Sequence, residues 1–248
     1  MKETRLIMGM PVSVEIVDAQ AMQSDLDVVF NYFTYVDNNF SKFKSTSELT
    51  ALNEGKIILE EASSDMKEVI ALCEQTREET DGYFDMRAPN GTCDPTGLVK
   101  GWAVRKAGEI IRAHGFKNFC VEAGGDMEIS GHNAKGEKWR IGIRNPFGDV
   151  HDIVKVVALS DEGIATSGTY VRGQHIYNPH KHGEEIRDVV SLSVIGPNVY
   201  EADRFATAAF AMGEDGIMFI ERLPGFEGYQ INKQGVATMT TGFSHYVV

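Results

Sequence analysis

Cysteine and proline are scarce in this chain: three of the first and seven of the second among 248 residues. Cys73, Cys93 and Cys120 form an odd set with no CxxC pairing. That suits a reducing compartment better than a disulfide framework. Long apolar runs are missing too. No stretch approaches the roughly 18 uninterrupted apolar residues of a membrane span. The opening Met1-Lys2-Glu3-Thr4-Arg5-Leu6-Ile7-Met8-Gly9 turns polar before a signal-peptide core can form. A cytoplasmic location is therefore expected, unless an export segment has been removed. Positive charge is the fourth deficit, with 24 Lys and Arg against 36 Asp and Glu, a formal net charge of −12. Such a chain repels phosphate backbones, so nucleic acid is not an expected partner. A phosphate-bearing ligand has to be held by local donors or a bound cation.

What is present is ordinary for a globular protein: 42% apolar residues, 24% charged residues and 25 glycines. Collagen-like, low-complexity and wholly disordered classes are excluded. At roughly 150 residues per domain the length lies between one and two domains. No internal repeat, heptad pattern or Ser/Pro-rich linker divides the chain, so residues 1–248 are read as one domain.

Residues 6–17 alternate Val12, Val14 and Ile16 against Ser13 and Glu15, a strand pattern. Over 25–39, Leu26, Val29, Phe30, Phe33 and Val36 recur at three- and four-residue steps and predict a helix. A second helix is expected over 64–80, with Met66, Val69, Ile70 and Cys73 on one face, Ser63 or Ser64 as cap, and Gly82 closing it. Residues 81–97 read as loop with a short strand at Tyr83-Phe84-Asp85. A third helix runs over 98–114 on a stripe of Val99, Ala103, Ala107, Ile110 and Ile111. Strands follow at 119–122, 127–130, 139–144, 154–159 and 189–194, then helices at 200–212 and 216–222. Helices and strands are segregated and many strand pairs share short turns. The expected class is therefore α+β with antiparallel sheets and packed helices, not a doubly wound parallel sheet.

Four segments could carry chemistry. Asp203 and Thr207 stand four apart on one helix face. A carboxylate and a hydroxyl are hard oxygen ligands suited to Mg²⁺, which completes its shell with water and substrate phosphates. The plain alternative is two residues that merely hydrogen-bond near a helix start. Asp94-Pro95-Thr96-Gly97-Leu98-Val99-Lys100 opens a helix with a glycine and a lysine in its first turn, a setting that binds anions. The alternative is a capped amphipathic helix, with Asp94 or Thr96 as the cap. Glu122-Ala123-Gly124-Gly125-Asp126 allows close approach of a ligand, and is equally what a hairpin needs. Ile164-Ala165-Thr166-Ser167-Gly168 ends a strand in hydroxyls, and His175 follows, either a general base near neutral pH or a structural histidine. His180 and His182 read as exposed. No GxSxG elbow, no GxGxxG opening a helix and no HExxH motif occurs.

Taken in order, these segments resemble the ApbE family of FAD:protein FMN transferases. The matching pieces begin with Met8-Gly9-Met10, Phe40-Ser41-Lys42-Phe43 and Ser47-Glu48-Leu49-Thr50-Ala51-Leu52-Asn53. They continue through Thr80-Asp81-Gly82-Tyr83-Phe84-Asp85, residues 94–103, residues 122–126 and Trp139-Arg140-Ile141-Gly142-Ile143. Ala165-Thr166-Ser167-Gly168, His175-Ile176-Tyr177-Asn178-Pro179 and residues 202–207 complete the series. The stretch 86–93 is shorter than in many members, and Phe43 stands where a tyrosine is common.

The resemblance implies a two-lobed, T-fold-like α+β architecture with a central FAD cleft. The implied enzyme is Mg²⁺-dependent. It moves FMN from FAD to a Thr or Ser hydroxyl of a partner flavoprotein and releases AMP. By matched position Asp203, Thr207 and the Gly97 carbonyl would hold the metal. Met8, Phe43, Tyr83, Phe84, Asp85, Asp94, Lys100 and Thr166 would line the FAD site, and His175 and Asp203 would act in catalysis. With the attacking hydroxyl supplied by the partner, this chain needs no nucleophile motif of its own. The rival readings are a Mg²⁺-dependent FAD pyrophosphatase that uses water, a flavin-binding protein without turnover, and a structural scaffold.

Overall fold

The computed structural model describes residues 1–88, 91–149, 151–169, 176–181 and 184–248. The first alternating segment is a hairpin rather than one strand. β1 (Lys2–Ile7) and β2 (Met10–Ile16) pair antiparallel. Met8 and Gly9, both at positive φ (57° and 72°), make the two-residue turn whose twist suits a hairpin. α1 (Gln23–Phe40) buries the predicted Leu26, Val29, Phe30, Phe33 and Val36 and adds Phe40. The short α2 (Glu48–Asn53), absent from the sequence reading, is capped by Ser47 Oγ, which accepts the Thr50 N–H at 3.0 Å. α3 (Ser64–Glu79) starts at the predicted cap Ser63 and gives way to a turn in which Asp81 and Gly82 take positive φ.

No strand forms at Tyr83-Phe84-Asp85. The Phe84 N–H donates to Thr80 Oγ1 at 3.1 Å, a side chain taking the place of a neighbouring strand. α4 (Thr96–Ala113) then feeds β3 (Phe119–Ala123), β4 (Asp126–Ser130), β5 (Trp139–Arg144), β6 (Ile153–Leu159) and β7 (Gly163–Gly168). The two-residue strands β8 (Tyr177–Asn178) and β9 (Glu184–Glu185) precede β10 (Val189–Gly196). After it come α5 (Val199–Ala211), α6 (Gly216–Glu221), β11 (Glu227–Asn232) and β12 (Ala237–Met239).

Eight strands form one antiparallel sheet in the order β1-β2-β3-β4-β7-β10-β11-β12. Alternation divides its faces. Val12, Val14, Ile16, Phe119 and Val121 pack under α1, α3 and α4, while Ala165, Leu192 and Val194 pack under α5 and α6. Ile129, Ile164, Ile195 and Ile231 face the other way, against the β5–β6 hairpin and Phe243. Each such apolar side chain contributes roughly 1.5–3 kcal/mol when fully buried. The fold is the expected α+β class. Among the described residues no helix is long and apolar enough to cross a membrane.

One seam of the sheet is incomplete. β7 pairs with β10 over six positions, but with β4 over only two, Met127↔Ile164 and Glu128↔Gly163. Beyond them the strands part, and the Asp126 side chain takes the place of a backbone partner, its Oδ1 accepting the Thr166 N–H at 3.1 Å. A cleft opens there.

Candidate active site

The cleft encloses a cavity of about 360 Å³ between the starts of α4 and α5, the parted strands and the β5–β6 hairpin. That is the scale of a small-molecule site. Its base is set by how closely two helices meet. A Cβ placed on Gly101 would lie 2.6 Å from Asp203 Cβ and 3.1 Å from the Val199 carbonyl oxygen, so only glycine lets α5 come this near α4. The Gly101 N–H then donates to Asp203 Oδ2 at 2.8 Å. One turn earlier, Thr207 Oγ1 donates to the Gly97 carbonyl at 3.4 Å. A Cβ on Gly97 would press on the Phe84 ring at 3.3 Å.

Lys100 and two acids complete this floor. The ammonium is 2.5 Å from Asp126 Oδ2 and 3.7 Å from Asp203 Oδ1. Asp126 is fully buried and Asp203 is 4% exposed. Burial pushes the Asp203 carboxyl up, to about 7; the Asp126 charge adds to that, while Lys100 and the Gly101 N–H act against it. Two enclosed acids therefore share one lysine.

At the mouth, Asp94 Oδ1 accepts from the Thr96 N–H (3.2 Å) and hydroxyl (2.5 Å), and Oδ2 pairs with Lys42 at 2.6 Å. Burial works against the Asp94 charge, but these donors hold its carboxyl below the ordinary value. Neither Asp94 nor Thr96 is the cap of α4: Pro95 holds that position without a side-chain bond, and Asp94 makes a local turn with Thr96 while lining the cleft. Asp85 accepts the Arg87 N–H at 2.9 Å. The Tyr83 ring meets the exposed His180 ring edge-on, centroids 4.5 Å apart. Asn53 clasps the strip beyond, both donating to and accepting from the Cys93 backbone (2.9 and 2.7 Å). On the hairpin side, Glu122 and Arg144 line the wall. Burial raises the Glu122 carboxyl and the Arg144 charge opposes it.

Nine sequence-predicted site residues thus line one cavity: Tyr83, Phe84, Asp85, Asp94, Gly97, Lys100, Thr166, Asp203 and Thr207. Two do not. Met8 sits in the β1–β2 turn against the helix-side core, and Phe43 is 88% exposed, its ring 5.6 Å from the Lys42 ammonium. His175 and His182 lie outside the described residues. Sequence reasoning gave no role to Lys42 or Tyr177, and read Asp126 as part of a hairpin. The usable signal for Asp126 was alternation: pairing with Phe119-to-Ala123 puts 126, 128 and 130 on the helix-covered face, where acids need partners. Among the described residues no three His, Cys, Asp or Glu side chains form a metal-holding group. The donors gathered here are two carboxylates, a hydroxyl and a carbonyl.

Comparison with known proteins matches residues 8–90 and 86–229 to the model of the ApbE family. The chain belongs to the ApbE family. It is 31% identical over 161 residues to the FAD:protein FMN transferase of Vibrio cholerae, a match covering 62% of this chain and 47% of that protein. With the Escherichia coli K12 protein of the same name it shares 27% over 161 residues, covering 62% and 46%. The chain matches about half the length of these curated relatives. Its fold is that of ApbE structures. The Thermotoga maritima ApbE protein superposes with a TM-score of 0.85 at 21% identity, covering 99% of this chain and 98% of that one. The flavin transferase ApbE from Vibrio cholerae gives 0.86 at 21% identity with the same coverage.

Proposed function

We propose that residues 1–248 form one flavin transferase domain that moves FMN from FAD to a Thr or Ser hydroxyl of a partner flavoprotein, with Mg²⁺ bound and AMP released. The observation that carries this reading is the floor of the cleft: the Thr207 hydroxyl on the Gly97 carbonyl, and Asp203 and Asp126 against the Lys100 ammonium, all lining one cavity. The family's curated relatives bear the name FAD:protein FMN transferase. The three cysteines are free, which suits a reducing cytoplasm.

The donor set fits Mg²⁺. Hard oxygens predominate, and among the described residues two buried carboxylates stand against one lysine, an excess of negative charge that a cation would balance. Asp203, Thr207 and the Gly97 carbonyl would hold it. Held by these residues, Mg²⁺ would supply charge neutralisation at the pyrophosphate and a more electrophilic phosphorus. Lys100 and the positive dipole end at the start of α4 add fixed positive potential in a chain of charge −12. Tyr83 and Phe84 offer flat apolar surface for a ring of the dinucleotide.

In the transfer, the acceptor hydroxyl oxygen bonds to the FMN-side phosphorus. The bond from that phosphorus to the bridging oxygen breaks, and AMP leaves with the electron pair. The hydroxyl proton passes to His175, the residue that the family resemblance assigns as base. Positioning and electrostatics supply most of the rate in such a step.

The test is a denaturing gel of protein, FAD, Mg²⁺ and an acceptor bearing a flavinylation motif. The expected result is a fluorescent acceptor band with one AMP per label, abolished by EDTA. Free FMN without a labelled acceptor would make the protein a pyrophosphatase, and intact FAD throughout a binder. Asp203→Ala is expected to cut turnover on the order of 10²–10³-fold, more than it weakens FAD binding. Full activity in that variant removes the metal assignment.

A further inference from the structure

Lys100 is held unequally. Its ammonium is 2.5 Å from Asp126 Oδ2 but 3.7 Å from Asp203 Oδ1, and Asp203 Oδ2 is taken by the Gly101 N–H. A lysine ammonium and a divalent cation are rivals for one carboxylate oxygen, since each repels the other at contact distance. A lysine three residues from a carbonyl ligand on the same helix would therefore compete with the metal unless something draws it aside. Asp126 is placed to do that. It is fully buried, it stands at the start of β4 where the sheet parts, and the Thr166 N–H fixes its Oδ1.

We propose that Asp126 is a positioning residue: it draws the Lys100 ammonium away from Asp203 Oδ1, leaving that oxygen to the divalent cation while the lysine's charge stays in the cleft. This rests on the magnesium-dependent reading above and adds a division of labour between the two acids. Asp203 binds the metal, and Asp126 holds the lysine.

A merely structural Asp126, bracing the parted strands, would move stability and leave metal binding alone. A simple through-space charge would act from any acid of the cleft wall. The experiment is calorimetric titration of the FAD-free protein with MgCl₂ alone, for wild type, Asp126→Asn, Lys100→Met, the double variant and Glu122→Gln. Thermal melts run alongside. Asparagine keeps an acceptor for the Thr166 N–H, loses the hold on Lys100 and removes the charge that helps raise the Asp203 carboxyl, a change that by itself favours Mg²⁺ and so opposes the expected loss. Asp126→Asn is expected to weaken Mg²⁺ about tenfold, as the freed lysine settles on Asp203. Adding Lys100→Met should restore affinity to within about threefold of wild type. Lys100→Met alone should bind Mg²⁺ at least as tightly as wild type. Glu122→Gln, which also removes one acid from the cleft wall, should change affinity less than about twofold.

Unchanged affinity in Asp126→Asn, or a loss that Lys100→Met does not relieve, overturns the proposal. An equal loss in Glu122→Gln does so too, by reducing the effect to bulk charge. If Asp126→Asn does not fold, Lys100→Met alone decides, since weaker Mg²⁺ binding there contradicts competition by the lysine. A wild-type protein that binds no Mg²⁺ fails the functional reading itself. One that binds Mg²⁺ and labels its acceptor while Asp126→Asn is unaffected fails only this inference.

Discussion

Asp126 and Glu128 are two residues apart on β4, both buried on its helix-covered face, and they meet α4 in different company. Glu128 Oε1 is 2.6 Å from Arg105 and 2.7 Å from Arg112, and Oε2 accepts the Val199 N–H at the start of α5 at 3.0 Å. One acid has two guanidinium groups and the positive end of a helix. Among the described residues Asp126 shares a single lysine with a second acid, Asp203. Even the close approaches repeat. Seven residues along α4 from Gly101 stands Gly108, whose Cβ would lie 2.8 Å from Glu128 Cγ. The same strand and the same helix thus carry an over-compensated acid that joins β4, α4 and α5, and an under-compensated pair that faces a cleft. Charge balance, more than burial, separates a brace from a site. A brace has its counter-charges built in, whereas a site leaves part of its charge for a ligand.

The largest effect on stability should come from the brace. Glu128→Ala takes the buried acid from Arg105 and Arg112, leaving Arg105 only the exposed Glu109, and leaves the Val199 N–H without its acceptor. Breaking a buried pair costs about 3–5 kcal/mol, and the arginines' one-third exposure puts this case near about 3 kcal/mol. Urea titration measures it. The specific activity of the folded fraction should stay within about twofold of wild type. A variant of normal stability with lost activity would break the comparison, because Glu128 would then belong to the site.

The fold and the site differ in how far the sequence revealed them. Regular periodicity marked α1, α3, α4 and α5, and Ser63 was legible as a cap, because local chemistry fixes these elements. β1 was not seen since it is an edge strand whose Lys2, Glu3, Thr4 and Arg5 carry no apolar alternation. α2 is six residues long, too short for a helical stripe. β11 is broken by Gly228 and Gln230 on its buried positions. In the site, Gly97, Lys100, Asp203 and Thr207 could be read because each pair lies within one helical turn. Asp126 comes to them from another element, and its neighbours Gly124 and Gly125 already explained the segment as a turn. The supposed strand at Tyr83-Phe84-Asp85 failed because Thr80 satisfies the Phe84 N–H locally. What stayed hidden is what depends on which elements become neighbours.

A smaller effect separates the two glycines. Gly101→Ala pushes a methyl into Asp203 and the Val199 carbonyl, and Gly108→Ala pushes one into Glu128 Cγ and the Phe119 ring (3.4 Å). Overpacking costs typically 1–3 kcal/mol, offset in part by alanine's better helix propensity of roughly 0.5–1 kcal/mol, so each should lose about 1–2 kcal/mol. Their activities should diverge. Gly101→Ala displaces Asp203 and is expected to lower turnover more than about tenfold, whereas Gly108→Ala should keep it. Equal losses of activity would mean that the helix seam works as one unit.

The smallest effect has the opposite sign. With the Asp203 carboxyl raised to about 7, chiefly by burial, the folded chain holds more protons than the unfolded chain between its ordinary value near 4 and pH 7. Stability of the metal-free protein should therefore fall as pH climbs through that window, since ionising Asp203 is harder in the fold than in the open chain. Asp203→Asn removes that slope. In EDTA at pH 8 it should melt higher than wild type by the equivalent of about 1 kcal/mol, the amide's donors cancelling part of the gain, with little difference near pH 4. Added Mg²⁺ should reverse the order, because only the carboxylate gains from the cation. If Asp203→Asn is instead the less stable protein in EDTA at pH 8, the lysine already balances both acids, and the contrast with Glu128 disappears.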